Sequence, residues 1–445
     1  MNKLKRFWRN LRTSFWFVPS LIVAVSIVLA VALIEADLTG SKQLLASWPR
    51  VFGAGAAGAR GMLSTIASSM MTVVGITFSM TLVTLVLASS QYTSRILRNF
   101  MRDRVTQVVL GIFAGIFTYC LIVLRTIRAG DEGGFVPSVA VSLGVVLAIV
   151  GIGVLIFFIH HIASSIQASN IISSVAAETI VAVDQLFPST LGQGPADDDE
   201  QHYLHSSSER NWQPVPAMAN GYIQSVDNAV LLRLARENKT IVRMERGIGE
   251  FVVHHTTLAS LALKNPPQNG INTALQEAYR IDRHRTVEQD CAFGIRQIVD
   301  MALRALSPGI NDTTTAVMCV DYLTAILARL ATRRFPSPHR YEDGELRAIT
   351  IGPTFASLVA ESFDQIRGCA QGNVAIMLRM LDAHQTIASQ TSSAGRRLSL
   401  REEVECIAEL AERTIDSPYD RARFEIRLAS VRTALETPQV LFRGA

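Results

Sequence analysis

The apolar residues of this chain gather into four long runs within the first 160 positions, and beyond that they recur among polar residues at helical or strand spacing. A run of 18 or more apolar, uncharged residues predicts a membrane-spanning helix. Four runs qualify, at about 15–34, 61–90, 108–127 and 136–159. The second is unusual. Between Arg60 and Arg95 the chain passes 34 residues without a charge, yet seven are Ser and six are Thr. Fully helical, this segment would be about 50 Å long at 1.5 Å per residue, against about 30 Å of hydrocarbon. It must tilt, kink or protrude.

A rotation of about 100° per residue gathers Ser64, Thr65, Ser68, Ser69, Thr72, Gly75 and Ser79 on one face of that helix and Thr77, Thr81, Thr84 and Gln91 on another. Membrane helices meet through small residues, which permit close approach and interhelical hydrogen bonds, so helix packing is the default reading of the first face. The functional reading is the wall of a water-filled path, because polar side chains line such paths. Hydroxyls that bond back to the carbonyl one turn earlier weaken both inferences. The pattern alone leaves the two open.

After the fourth run the pattern changes. Residues 162–187 keep an apolar helical period and are expected to form a connecting helix, while 188–216 have the Gly, Pro, Ser and acidic composition of a linker. Short β-branched and aromatic runs around one helix-like stretch make 217–268 a small α+β module. Residues 269–445 read as mainly helical, with helices expected at 271–279, 286–306, 312–332, 354–370, 373–389, 398–415 and 421–437 and one more strand at 346–352. The expected fold is a membrane protein with four transmembrane α-helices, residues 1–161, followed by a mostly helical α+β cytoplasmic domain.

Composition agrees with this division. Of 445 residues 49% are hydrophobic and 18% charged, with a mean hydropathy of +0.26, too apolar for an ordinary soluble protein and too charged for one lying wholly in lipid. Lys3, Lys5, Arg6, Arg9 and Arg12 precede the first run, and Arg95, Arg98, Arg102 and Arg104 follow the second, so the positive-inside rule places the N terminus in the cytoplasm. Four spans return the C terminus to the same side. The first run is too long for a signal peptide and no small-residue cleavage site follows it. The net charge of +4 concentrates at the inner face, which implies anionic lipid as the partner there rather than nucleic acid. Cys120, Cys291, Cys319, Cys369 and Cys406 are scattered without CxxC spacing and imply neither a disulfide framework nor a zinc site.

The densest polar signal lies around residues 280–316. Asp300 and Arg304 stand at a helical ion-pair spacing, Asp290 shares their face, and Ser307, Pro308 and Gly309 stop the helix. Asn311 or Asp312 is placed to cap the next one. A structural corner is the default, and a ligand site at the new helix N terminus, which favours anions, is the alternative. His160 and His161 point about 100° apart on a helix, and His254 and His255 have no acid or thiol at ligand spacing, so no metal is expected. No nucleophile-elbow, zinc-protease or phosphate-loop pattern stands in a suitable context. Neither an enzyme nor a cofactor is expected.

Two blocks, TFSMTLVTLVLASSQYTSRILRNFMRDRVTQVVLGIF within residues 66–126 and FGIRQIVDMALRALSPGINDTTTA, resemble in content and order the bacterial family of predicted membrane proteins called domain of unknown function 2254. A Pro often follows the Asn-Asp pair of that family where this chain has Thr313. The resemblance implies a multi-pass protein of the bacterial inner membrane and supplies no reaction or catalytic residue. The functional expectation is a homo-oligomeric channel or transporter whose second span lines a passive ion path. Arg95, Arg98, Arg102 and Arg104 at its inner end would favour anions, and the absence of Asp, Glu, Lys or Arg at membrane depth argues against a proton-coupled carrier. The alternative is a membrane-anchored binding or scaffold protein whose cytoplasmic domain recognises a ligand or partner.

Overall fold

The computed structural model describes residues 16–40, 55–91, 103–128, 135–165, 167–187, 211–262 and 270–436. The chain divides into two compact units, Met1–Asn170 and Ile171–Ala445.

The described residues of the first unit hold four long helices, α1 (Phe17–Gly40), α2 (Ala56–Gln91), α3 (Arg104–Thr126) and α4 (Ser138–Ser165). Their outward side chains are apolar: Val28 is 68% exposed, Ile149 65% and Ile156 65%. A girdle of that kind is untenable in water and marks a membrane-spanning protein. Helix α3 is the centre of the packing, burying Phe113, Ile116, Tyr119 and Val123. It can take α1 at close range because Gly111 and Gly115 stand one turn apart. A Cβ on Gly111 would lie 2.7 Å from Ile22 Cδ1, and one on Gly115 would lie 2.5 Å from Ser26 Oγ. Glycines at this spacing are how membrane helices approach closely.

Polar contacts fix the helix ends. Arg60 Nη2 donates to the Ile127 carbonyl at 2.6 Å. The Tyr119 hydroxyl donates to the Ala140 carbonyl at 2.7 Å. Helix α1 continues beyond its expected end at residue 34, and Asp37 Oδ2 accepts the Val139 and Ala140 amides at 3.1 and 3.2 Å, satisfying free N–H groups at the start of α4. The expected absence of acids from the spans therefore stops short of the far end of α1, where Asp37 is buried.

Among the described residues five helices are long and apolar enough to cross a membrane by length and composition, the four above and one in the second unit at Thr313–Ala331. The expected number of four leaves that last one aside.

The second unit begins within α5 (Ala168–Leu186) and combines two sheets with a helical bundle. One sheet has the order β1 (Trp212–Pro216), β5 (Thr257–Ala262), β3 (Val242–Met244), β8 (Glu345–Ile349), β7 (His339–Glu342), with β3 and β8 parallel and the other pairs antiparallel. The other has the order β4 (Phe251–Val252), β2 (Gly221–Val226), β6 (Tyr279–Asp282). Helices α6 (Asn228–Glu237) and α7 (Ile271–Ala278) lie between strands in the sequence. The sheets thus extend beyond 217–268 on both sides. Strand β1 falls in the stretch expected as linker, because Pro214 and Pro216 disguise it, and Pro is tolerated there only because β1 is an edge strand. The remainder of the expected linker, 188–210, lies outside the described residues. Strands β7 and β8 are joined by Asp343 and Gly344 at φ +54° and +76°, the left-handed pair that a tight hairpin turn requires.

The bundle comprises α8 (Cys291–Ala305), α9 (Thr313–Ala331), α10 (Phe355–Cys369), α11 (Val374–Ala388), α12 (Ala394–Thr414) and α13 (Pro418–Glu436). Side-chain caps start several of them: Asp290, Asp312, Thr354, Asn373 and Ser393 each accept a backbone amide of the first turn. Helix α8 also meets α5 at minimal distance, since a Cβ on Gly294 would fall 2.0 Å from Thr179 Oγ1.

Candidate functional site

The two polar faces of α2 have opposite fates. Thr77 and Thr84 are buried and Thr81 is half-buried, while Ser64, Thr65, Ser68, Ser69, Thr72, Gly75 and Ser79 are all exposed. The side of α2 that packs within the chain is instead Ala59, Leu63, Ala67 and Met70. A Cβ at Gly58, Gly61 or Gly75 would meet nothing within 4 Å. Hydroxyls on the exposed face bond back along their own helix: Thr65 donates to the Gly61 carbonyl at 2.9 Å, Ser69 to Thr65 at 2.8 Å and Thr72 to Ser68 at 3.0 Å. Their protons are satisfied, and the oxygen lone pairs face outward, available to water or to a facing helix. A groove of about 450 Å³ follows this face, with Ser64, Ser68 and Thr72 on one wall and Phe117, Leu121 and Leu124 of α3 on the other.

Of the basic residues expected at the inner end, Arg95, Arg98 and Arg102 lie outside the described residues, and Arg104 is the exposed first residue of α3. Beside it Asp103 caps α3, accepting the Val105 amide at 3.0 Å and the Thr106 hydroxyl at 2.6 Å, and it pairs with His161 Nε2 at 2.9 Å. Burial alone would raise the Asp103 pKa, but the bonds from Thr106, His161 and Val105 outweigh it and hold the carboxyl below its ordinary value.

In the corner, Asp290 accepts Arg285 through two bonds of 2.8 and 3.0 Å and the Phe293 amide at 3.0 Å, so one carboxylate ties a loop to the start of α8. The ion pair of Asp300 runs to Arg296, one turn earlier, at 2.9 Å, and not to Arg304 as spacing suggests. Both spacings are four residues, and Arg296 also reaches Glu361 on α10, which draws it to that side. Asn311 adopts φ +50°, and Asp312 is the cap, accepting the Thr315 amide at 3.0 Å and its hydroxyl at 2.6 Å. Those bonds lower the Asp312 pKa. Asp290, Asp300, Asn311 and Asp312 thus each have a structural partner or turn position, and Arg304 ends α8, where it suits the C-terminal dipole.

A cleft of about 800 Å³ opens in the second unit between the sheet edge and the helices. Arg340 on β7 and Arg396 on α12 line it, with Phe335 and Phe355 as apolar wall. Cys291 also touches it, but burial, and then the Asp290 charge, push its thiol up to about 12, so it is no nucleophile at neutral pH. Among the described residues no three His, Cys, Asp or Glu side chains are grouped to hold a metal. The rings of His254 and His255 meet edge-on, with 3.8 Å between centres and 60° between planes.

The family model described as "Predicted membrane protein (DUF2254)" matches residues 12–386. The chain belongs to this family. Uncharacterized proteins of Mycobacterium bovis and Mycobacterium tuberculosis are each 31% identical to it over 452 residues, covering 99% of this chain and 84% of theirs. No solved structure matches it. The DUF2254 match takes in the polar face of α2, the corner and Arg340, and ends inside α11, before Arg396.

Sequence pattern brings the α2 face together as a set, and the structure adds which way it looks. Arg340 and the cleft escape sequence reasoning, because the cleft draws lining from segments as distant as Phe187 and Ser399. One local signal does exist. The Asp-Gly turn after Tyr341 and Glu342 marks a hairpin, which would have placed Arg340 on an edge strand.

Proposed function

We propose that this DUF2254 protein is a four-span protein of the bacterial inner membrane with both termini in the cytoplasm, and that copies of it assemble with the exposed face of α2 around a passive ion path. The observation that carries this reading is the exposure of Ser64, Thr65, Ser68, Ser69, Thr72, Gly75 and Ser79 as one polar stripe on a helix that packs on its own chain through Ala59, Leu63, Ala67 and Met70 and otherwise turns large apolar side chains such as Met71, Phe78 and Val86 outward. Outward oxygen lone pairs are poorly placed against lipid tails and well placed against water. A second copy covering part of the face and water the rest would satisfy them. Arg95, Arg98, Arg102 and Arg104, which follow α2 in sequence, favour anions at its inner end.

The fifth apolar helix, α9, is assigned to the cytoplasmic unit. Its apolar side chains Cys319, Val320, Leu323, Ile326, Leu327 and Leu330 are fully buried against protein, and its Asp321 and Arg329 pair with Arg379 and Asp184. Helices α1, α2 and α4 have the reverse pattern, with most apolar residues outward. Anionic lipid is the expected partner of the inner face, and neither nucleic acid nor catalysis enters the reading. A ligand-recognising cytoplasmic unit is the second reading, favoured by the 800 Å³ cleft.

Reconstitution tests the first reading. Protein inserted into liposomes as its intact oligomer should carry anion flux above that of empty vesicles, and Ser68→Leu should reduce it several-fold. Flux equal to empty vesicles would contradict it.

A further inference from the structure

The cleft of the second unit holds a charge imbalance. Its two acids are already neutralised: Glu250 accepts the Gly247 amide at 2.7 Å and pairs with Arg246 at 3.3 Å, and Asp290 is held by Arg285. Arg396 lies over the rings of Phe335 and Phe355, 5.2 and 5.4 Å from their centres, and donates to the Ala331 carbonyl at 2.9 Å. Arg340 is different. It is half-buried on the edge strand β7, and its guanidinium has no ion-pair or hydrogen-bond partner among the described residues. Burial pushes its pKa down, with no opposing cause. An arginine held out of water without a carboxylate is a cost to the fold, and a bound anion removes that cost by filling its planar fork of donors.

The volume decides the size of that anion. A space of about 800 Å³ is within the range of organic-ligand sites, roughly 300–1,000 Å³, and is far larger than an inorganic ion needs. Phe335, Phe355, Ile248 and Ile351 supply apolar wall, and Pro336, Pro338 and Pro353 stiffen the loops that carry it. We propose that this cleft binds a small organic anion, a carboxylate or phosphate ester with a flat apolar body, with Arg340 holding the anionic head and Phe335 and Phe355 receiving the body. The site is independent of the ion path, and its test reads binding rather than flux.

Isothermal titration calorimetry on the full chain in lipid nanodiscs, with empty nanodiscs as baseline, would use three probes: 1-naphthyl phosphate, 2-naphthoate and the neutral 2-naphthamide. At least one anion should bind saturably at one site per chain and at least tenfold more tightly than the amide; whichever anion leads identifies the head group as phosphate or carboxylate. Arg340→Gln should weaken that anion tenfold or more, with Arg340→Lys between, and its ligand-free unfolding midpoint should equal or exceed that of the native chain. Gly352 lines the cleft with open space where a Cβ would stand, so Gly352→Phe should block binding by filling it. Absence of saturable anion binding, amide binding as tight as the anions, or unchanged affinity in either Arg340→Gln or Gly352→Phe would overturn the proposal.

Discussion

Glu403 on α12 shows how single side chains set the pH behaviour of the second unit. Burial, and then the nearby Asp364 carboxylate, raise its pKa to about 6, with Arg367 at 3.9 Å only partly opposing them. The folded state therefore binds this proton more tightly than the unfolded chain does. The stability that Glu403 contributes is greatest below the ordinary glutamate value near 4.5 and is lost as pH rises through about 6. Glu403→Gln, which keeps the shape without the charge, should raise unfolding stability by about 1 kcal/mol at pH 8, with solvent screening included, and by almost nothing at pH 4.5. Thermal denaturation at the two pH values checks this; an equal effect at both would contradict it. Individual caps were more legible than such charge pairings. Asp312 stands where sequence places a helix start, because a cap depends on its immediate neighbours alone, whereas Asp290, expected inside a helix over 286–306, is the cap of one that begins at Cys291. The partner of Asp300 depends on α10 as well, and sequence spacing could not choose Arg296 over Arg304.

Two glycine sites test the element packing in opposite directions. At Gly115 of α3 an added side chain meets Ser26 of α1, so Gly115→Val should separate those helices and destabilise the first unit by about 1–3 kcal/mol, the usual range for overpacking. At Gly75 of α2 there is open space, so Gly75→Val should leave chain stability nearly unchanged while altering the assembly that covers that face. Unfolding in detergent and size-exclusion chromatography separate the two effects; equal destabilisation at both sites would show that α2 is covered within the chain. Most helices were readable to within a few residues because their apolar period is long and caps frame it. Strands β1, β6 and β7 were not, for distinct reasons. Prolines hide β1, β6 continues directly from α7, and β7 is four residues carried by a turn rather than by apolar alternation. Which helix face points outward is likewise absent from the pattern, since the polar faces of α2 differ only in what the other helices leave uncovered.

The whole chain comprises a membrane unit with one spare polar helix face and a second unit with a cationic cleft. The family resemblance and the apolar girdle establish the membrane half, and the DUF2254 match carries no activity with it. The central claim is that water reaches the outward face of α2. Single cysteines at Ser64, Ser68, Thr72 and Ser79, and at Leu63, Ala67 and Met70 as packed controls, can be exposed in proteoliposomes to a charged, membrane-impermeant thiol reagent after replacement of the native cysteines. Modification is expected at the first four positions and protection at the last three, a helical alternation along one span. Protection at Ser64, Ser68 and Thr72 alike, in protein that still assembles, would contradict it and make that face a dry helix contact.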